Sequence, residues 1–349
     1  MTPTWPRAWG DPSGSTLIRS CPEDFQVNEE LGFALSGEGE HCFLYLQKRK
    51  LNSMELVHRV SALSAIPPRD IGLSGLKDRN AVTRQWISIG MAGREEPDWT
   101  SLESDGDITI VEKGRHLRKL RRGVHRANRF SLVLRELDAE PAELEQRLRN
   151  LREFGVPNYF GEQRFGRGGS TLEQARRWMK GGRRISREKR SLYYSALRAL
   201  VFNELLALRV QSDDWNSVLP GDVCMLHGSR SFFTCDDVTD DIRQRTRTGD
   251  IHPGLPLWGH GLTQWLSSCD GRYAQVVVEC QDVCDFLESS GLDCAWRPAR
   301  LLPDDFCWQF CDDATLRLDF SLGAGGYATA LLAELVRYKE GSRESGFSG

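Results

Sequence analysis

Asp78 lies in the segment Gly75-Leu76-Lys77-Asp78-Arg79-Asn80-Ala81, with a cation on either side. A carboxylate flanked by lysine and arginine stays ionised at neutral pH and can serve as nucleophile or base. The plainer reading is a turn aspartate that hydrogen-bonds its own backbone. A second candidate is GAGGYA, residues 323–328, which matches the G-x-G-x-x-A dinucleotide pattern between a strand-like and a helix-like run. A complete dinucleotide unit takes about 30 residues and a second parallel strand. The 27 residues from Gly323 onward end in a polar tail, so no nicotinamide or flavin is expected. Two CxxxC pairs, Cys280 with Cys284 and Cys307 with Cys311, could supply four zinc thiolates. The same spacing also puts small hydrophobes on one helix face, and no metal is expected. The seven histidines are scattered, and no GK[ST] loop, GxSxG elbow or HExxH pair occurs, so triad and metalloenzyme chemistry lack support.

The elements that must hold Asp78 can be read around it. Strand-like runs at Phe25–Val27 and Phe43–Leu46 bracket a glycine-rich turn at 32–41. Asn52 with Glu55 makes a capping box for a helix with Leu56, Val57, Val60 and Leu63 on one face, stopping before Pro67-Pro68. The loop 72–83 follows, then strands near 86–89, 108–111 and 130–134, the last alternating cleanly. A helix from Pro141 carries Leu144, Leu148 and Leu151 and closes at Gly155, where a domain boundary is expected. Ser170 to Glu173 reads as another capping box, and 193–210 as a longer helix. Acidic, turn-rich segments with short strands are expected over 211–300.

The chain of 349 residues suggests about two domains, and 40% hydrophobic against 27% charged residues argues against disorder. No apolar run approaches the length of a membrane helix, and the first twenty residues do not read as a secretory signal, so a cytoplasmic address is expected. Ten cysteines, eight of them after residue 220, are sparse enough to be reduced thiols. The net charge of −3 hides an asymmetry: residues 1–210 hold 35 basic and 27 acidic side chains, the rest 11 and 22. Residues 113–190 carry 22 basic against 9 acidic, and 113–129 have eight Lys and Arg with no acid. That is the footprint of a polyanion-binding surface, or else a merely solvated face. Of the 46 basic residues 38 are Arg, whose planar fork suits phosphate and base recognition, so nucleic acid fits best.

Five blocks occur in an order found in one family: PEDFQVNEELGFALSGEGEH, GLKDRNAVTRQW, ANRFSLVLRE, VPNYFGEQRFG and GAGGYATALLAEL. The chain resembles the TruD family of tRNA pseudouridine synthases over about residues 17–205 and 300–338. The resemblance implies an α+β fold. Its pseudouridine synthase catalytic domain, residues 1–153 and 304–349, would have a mixed or antiparallel sheet with flanking helices, interrupted at 154–303 by a TRUD-type α/β insertion domain.

It also implies that Asp78 is the nucleophile and that Phe25, Asn128, Phe130 and Tyr327 line the uridine pocket. Lys77 and Arg79 would keep Asp78 anionic beside the substrate. A flipped base needs aromatic faces and an amide at its edge, which these residue types supply. Phe130, starting an alternating strand, could equally be core. The sequence departs from the family at Gly323, where Pro is common, and at Ala333, where Arg is common. The expected reaction is isomerisation of uridine, at position 13 of tRNA, without a cofactor. tRNA is the expected partner, with no membrane and no protein partner, and a monomer is expected. The alternative is a noncatalytic RNA-binding or RNA-folding protein in which Asp78 is only a turn residue.

Overall fold

The computed structural model describes residues 4–182 and 184–341. Arg183 of the basic zone and most of the polar tail lie outside the described residues. The chain divides into two compact units: Ser13–Leu144, Pro303–Gly326 and Val336–Gly349 form one, and Met1–Pro12, Glu145–Leu302 and Tyr327–Leu335 the other.

The first unit is built on a ten-stranded mixed sheet, whose main path runs Asp304–Asp312, Thr315–Gly323, His125–Asp138, Phe25–Leu31, Val82–Gly90, His41–Arg49 and Ile108–His116. Ser15–Ile18 pairs parallel with Arg337–Glu340 and antiparallel with His125–Asp138, while Ile71–Leu73 adds to Val82–Gly90. Phe25–Leu31 runs parallel to Val82–Gly90, so the chain between them must cross over. The helix Ser53–Ser64 lies in that connection and buries Leu56, Val57 and Val60 with Leu44, Leu46, Ile87 and Ile89. Each such side chain contributes about 1.5–3 kcal/mol. Asn52 caps the helix as its sequence predicts, accepting from the Met54 and Glu55 amides while Glu55 accepts from the Asn52 amide. It ends at Ala65 in the left-handed conformation, ahead of the two prolines.

In the long strand His125–Asp138, Phe130, Leu132 and Leu134 are buried in alternation. Phe130 stands opposite Val27 on one neighbour and Phe320 on the other. The period-2 pattern therefore fixes the register of three strands at once.

The second unit centres on the helix Arg187–Gln211, which begins six residues before the expected start and buries Tyr193, Leu197, Leu200, Val201 and Leu205. Pro141–Phe154 closes at Gly155 as expected, with φ of +74°. A Cβ there would sit 2.4 Å from the Leu301 carbonyl oxygen, so only glycine fits. The capping box expected at Ser170 does not form. Ser170 is already the first residue of Ser170–Met179, and Gly169, with φ of +79°, leads in from a glycine turn with no side-chain cap.

Residues 211–300 hold an antiparallel sheet in the order Phe232–Thr234, Val223–Leu226, Ile251–Leu257, Ala295–Pro298. They also hold four helices the sequence did not suggest: Asp240–Arg247, Thr263–Ser268, Ala274–Glu279 and Gln281–Ser289. These are six to nine residues long, and one carries the β-branched run Val276-Val277-Val278 that disguises a helix. The fold is α+β with a mixed sheet and flanking helices. No helix among the described residues is long and apolar enough to cross a membrane.

Candidate active site

Asp78 sits in the loop between Ile71–Leu73 and Val82–Gly90. Its carboxylate is held by a residue that no motif in the sequence points to. Arg19, buried to 7% exposure, donates from Nη2 to Asp78 Oδ2 at 2.7 Å and from Nη1 to Glu340 Oε1 at 2.7 Å. Its guanidinium also covers the Phe25 ring, 4.0 Å from the centroid. Arg19 has φ of +56°, a conformation costing roughly 1 kcal/mol for a residue with a side chain. The Asp78 carboxylate is 51% exposed, and among the described residues its Oδ1 has no hydrogen-bond partner. Asp78 is thus anchored through one oxygen and open at the other.

The backbone of Asp78 is tied down from beneath. Lys48 follows Leu44 and Leu46 on the inward face of His41–Arg49 and is fully buried, donating to the carbonyls of Asp78 at 2.7 Å and Leu51 at 2.5 Å. Burial pushes its ammonium down to about 8, against the attraction of Asp78.

Lys77 and Arg79 are not the cations that touch the Asp78 carboxylate. Lys77 is turned the other way, its Nζ 2.6 Å from Glu29 Oε2 in a buried ion pair, while its amide donates to Ser53 Oγ and Ser53 donates to Gln85. Arg79 donates to the Lys50 carbonyl and lies 3.6 Å from Glu55. Nearby, Asn128 Nδ2 is 3.2 Å from His125 Nε2, and Asn128 Oδ1 and His125 Nδ1 are buried without a partner among the described residues. Burial, with Lys77 assisting, holds His125 below its ordinary range against the pull of Glu29. Phe25 meets Phe130 edge-on at 6.3 Å, and Phe130 stacks on Phe320 at 5.2 Å. Both rings are buried, with Phe130 backing Phe25.

Tyr327 belongs to the second unit. Its hydroxyl accepts from Arg164 Nη2, whose other nitrogen donates to Ser195 Oγ at 2.9 Å. Arg297 lies beside it over the Phe160 ring, pushed down to about 10 by burial, with Tyr327 opposing and Arg164 reinforcing the shift.

The basic stretch 113–129 is partly neutralised. Lys113 and Arg115 both pair with Glu96, and Arg126 pairs with Glu30. Arg118, Lys119, Arg121, Arg122 and Arg129 form no ion pair among the described residues. Cys280 and Cys284 are buried in the second unit, their thiols pushed up by burial, and Cys307 and Cys311 are exposed on a strand of the first. No cluster of three potential ligands occurs among the described residues. GAGGYA does join a strand, Thr315–Gly323, to a helix, Ala328–Leu335, but the next strand is Arg337–Glu340 beside Ser15–Ile18.

A family model described as tRNA pseudouridine synthase D (TruD) matches residues 8–171 and 170–335. The chain is 42% identical over 334 residues to the tRNA pseudouridine synthase D of Methylococcus capsulatus, covering 95% of this chain and 94% of that one. It is 40% identical to the protein of the same name from Nitrosococcus oceani, covering 95% and 93%. A crystal structure from Methanosarcina mazei described as a TruD protein shares the fold with a TM-score of 0.67 at 18% identity, over 94% of this chain and 95% of that one. Matched by the family model through both units and by relatives over nearly its full length, the chain belongs to the TruD family.

Proposed function

We propose that this chain isomerises uridine to pseudouridine in tRNA, at position 13, with Asp78 as the nucleophile. The observation that carries the proposal is a half-exposed carboxylate fixed by a buried arginine through one oxygen, with the other oxygen unpartnered among the described residues. The names of the relatives supply the substrate class. The reaction breaks the bond from ribose C1′ to uracil N1 and forms C1′–C5. C5 loses a proton, N1 gains one, and nothing is oxidised or reduced. Asp78 can attack C1′ or C6, or assist an elimination at the ribose, and the reading accommodates all three.

The chain's own residues divide the remaining work. Arg19 orients Asp78, and Phe25 and Phe130 support Arg19 from behind. Lys48 and Lys77 fix the loop that carries the nucleophile. The uridine must leave its stack, at a cost of a few kcal/mol offset by phosphate contacts, for which Arg121 and Arg122 are exposed candidates. In this reading residues 1–153 and 304–349 carry catalysis and 154–303 form the insertion domain. Cytoplasmic location and a monomeric state go with it.

The test is isomerisation of bulk tRNA, without added cofactor, by the wild type and by Asp78→Ala, mapped by a carbodiimide stop assay. Modification at position 13 only by the wild type, with tRNA affinity retained in the variant, is expected. Full activity in Asp78→Ala would refute the nucleophile, and binding without isomerisation by the wild type would refute the reaction.

A further inference from the structure

The second unit has a cavity of about 370 Å³ whose lining includes Phe160, Arg187, Arg190, Tyr194, Ser195 and Arg198. We propose that it is a second RNA contact, which takes one nucleotide together with its flanking phosphates; the proposal rests on reading the chain as a tRNA-binding enzyme. The volume falls within the range of small-ligand sites.

Arg187, Arg190, Tyr194 and Arg198 recur on one face of Arg187–Gln211 at spacings of three and four, and no carboxylate lines the cavity. Like charges at that spacing destabilise a helix, and arginines in its first turn oppose the dipole. Among the described residues Arg187 and Arg190 form no ion pair and are exposed. Arg198 is satisfied only by backbone, donating to the carbonyls of Trp258 and Asp293. The two carbonyls account for Arg198, but folding alone gives no reason to place the unpaired Arg187 and Arg190 beside it, whereas an anion does.

The polar groups are poised to donate. Ser195 Oγ accepts from Arg164, which leaves its own proton available to a phosphate or a base carbonyl. Arg164 also holds the Tyr327 hydroxyl, so the cavity wall and the glycine-loop tyrosine share one hydrogen-bonded bridge. Tyr194, half-buried, adds aromatic surface against which an unstacked base can lie, while Phe160 is a buried wall residue covered by Arg297.

The experiment is tRNA binding by the full chain as a function of salt, comparing Arg187→Ala/Arg190→Ala with Arg243→Ala/Arg247→Ala, which removes the same charge elsewhere in the unit. The cavity pair is expected to weaken binding on the order of tenfold and to make the salt slope shallower by roughly 1 to 2, as for two phosphates. The control pair is expected to change neither. Ser195→Ala should weaken binding several-fold without altering the slope. Equal losses in both pairs, or unchanged affinity and slope in the cavity pair, would overturn the proposal. Wild-type protein that binds tRNA but isomerises nothing would sink the catalytic reading, and the comparison of the two pairs would still decide the cavity.

Discussion

Replacing Arg19 by Met keeps an apolar stem near Phe25 and deletes both carboxylate bonds, so it separates positioning from packing. Asp78 and Glu340 are each about half exposed, and each lost ion pair costs only ~0.5–1 kcal/mol. The cation over Phe25 contributes another ~0.5–2 kcal/mol. A stability loss of ~1.5–4 kcal/mol in urea unfolding is therefore expected. The catalytic effect should be larger, because Asp78 has no other side-chain partner for its carboxylate among the described residues. Misplacement of a reacting group by about 1 Å costs on the order of 10²-fold. The assay is single-turnover release of tritium from tRNA labelled at uridine C5, the atom that loses its proton. Arg19→Met should lower that rate about 10²-fold with tRNA affinity within about twofold. Glu340→Gln, which weakens only the second bond, should cost similar stability per bond and far less rate. A wild-type rate in Arg19→Met, with stability reduced as calculated, would refute the positioning argument.

Glu29→Gln leaves the Lys77 ammonium buried without its carboxylate and should cost about 3–5 kcal/mol in urea unfolding, while Glu29→Gln/Lys77→Met should recover part of that. His252 is buried, accepting from Arg300 at Nδ1 and facing His227 at Nε2, and burial with Arg300 pushes it down to about 2. The unfolded chain binds a proton near pH 6.5 that the folded chain refuses, so stability should fall as pH drops below that value, by up to about 1.4 kcal/mol per unit. His252→Gln should flatten this acid limb, measured by urea midpoints between pH 4 and 7. Gly155→Ala forces a Cβ to 2.4 Å from the Leu301 carbonyl at positive φ and should lower thermal stability by about 2 kcal/mol or more.

What was legible in the sequence is what near neighbours decide. The Asn52–Glu55 cap, the stop at Gly155 and the alternation from Phe130 to Leu134 are each set within a few residues, and the structure has them where the pattern puts them. The Ser170 box has the same local signature and fails, because a glycine turn delivers the chain already helical at Ser170. The loop around Asp78 was legible as a loop, but the ion pairs of its residues were not. Arg19 reaches Asp78 across 59 positions, and Glu29 reaches Lys77 across 48. Both meetings follow from strand order, with Ser15–Ile18 and Phe25–Leu31 each paired to the long strand His125–Asp138, and no local spacing encodes that order.

The flanking cations of Asp78 show why proximity in sequence misleads here. Lys77 and Arg79 both turn away from the carboxylate between them, Lys77 to Glu29 and Arg79 to the Lys50 carbonyl and Glu55. Lys77 is drawn to the buried Glu29, whose charge would otherwise be uncompensated in the core. That leaves the Asp78 carboxylate to a cation that is itself immobilised, by Phe25 beneath and Glu340 beside it. A rigid arginine can hold one carboxylate oxygen and leave the other open, whereas Arg79 is largely exposed and engaged by the Lys50 carbonyl and Glu55. The same separation appears in the basic stretch, where Glu96 occupies Lys113 and Arg115 while Arg121 and Arg122 form no ion pair among the described residues. Charge counted along the chain measures attraction for a polyanion, and only the partners in the fold decide which of those charges are left to meet it.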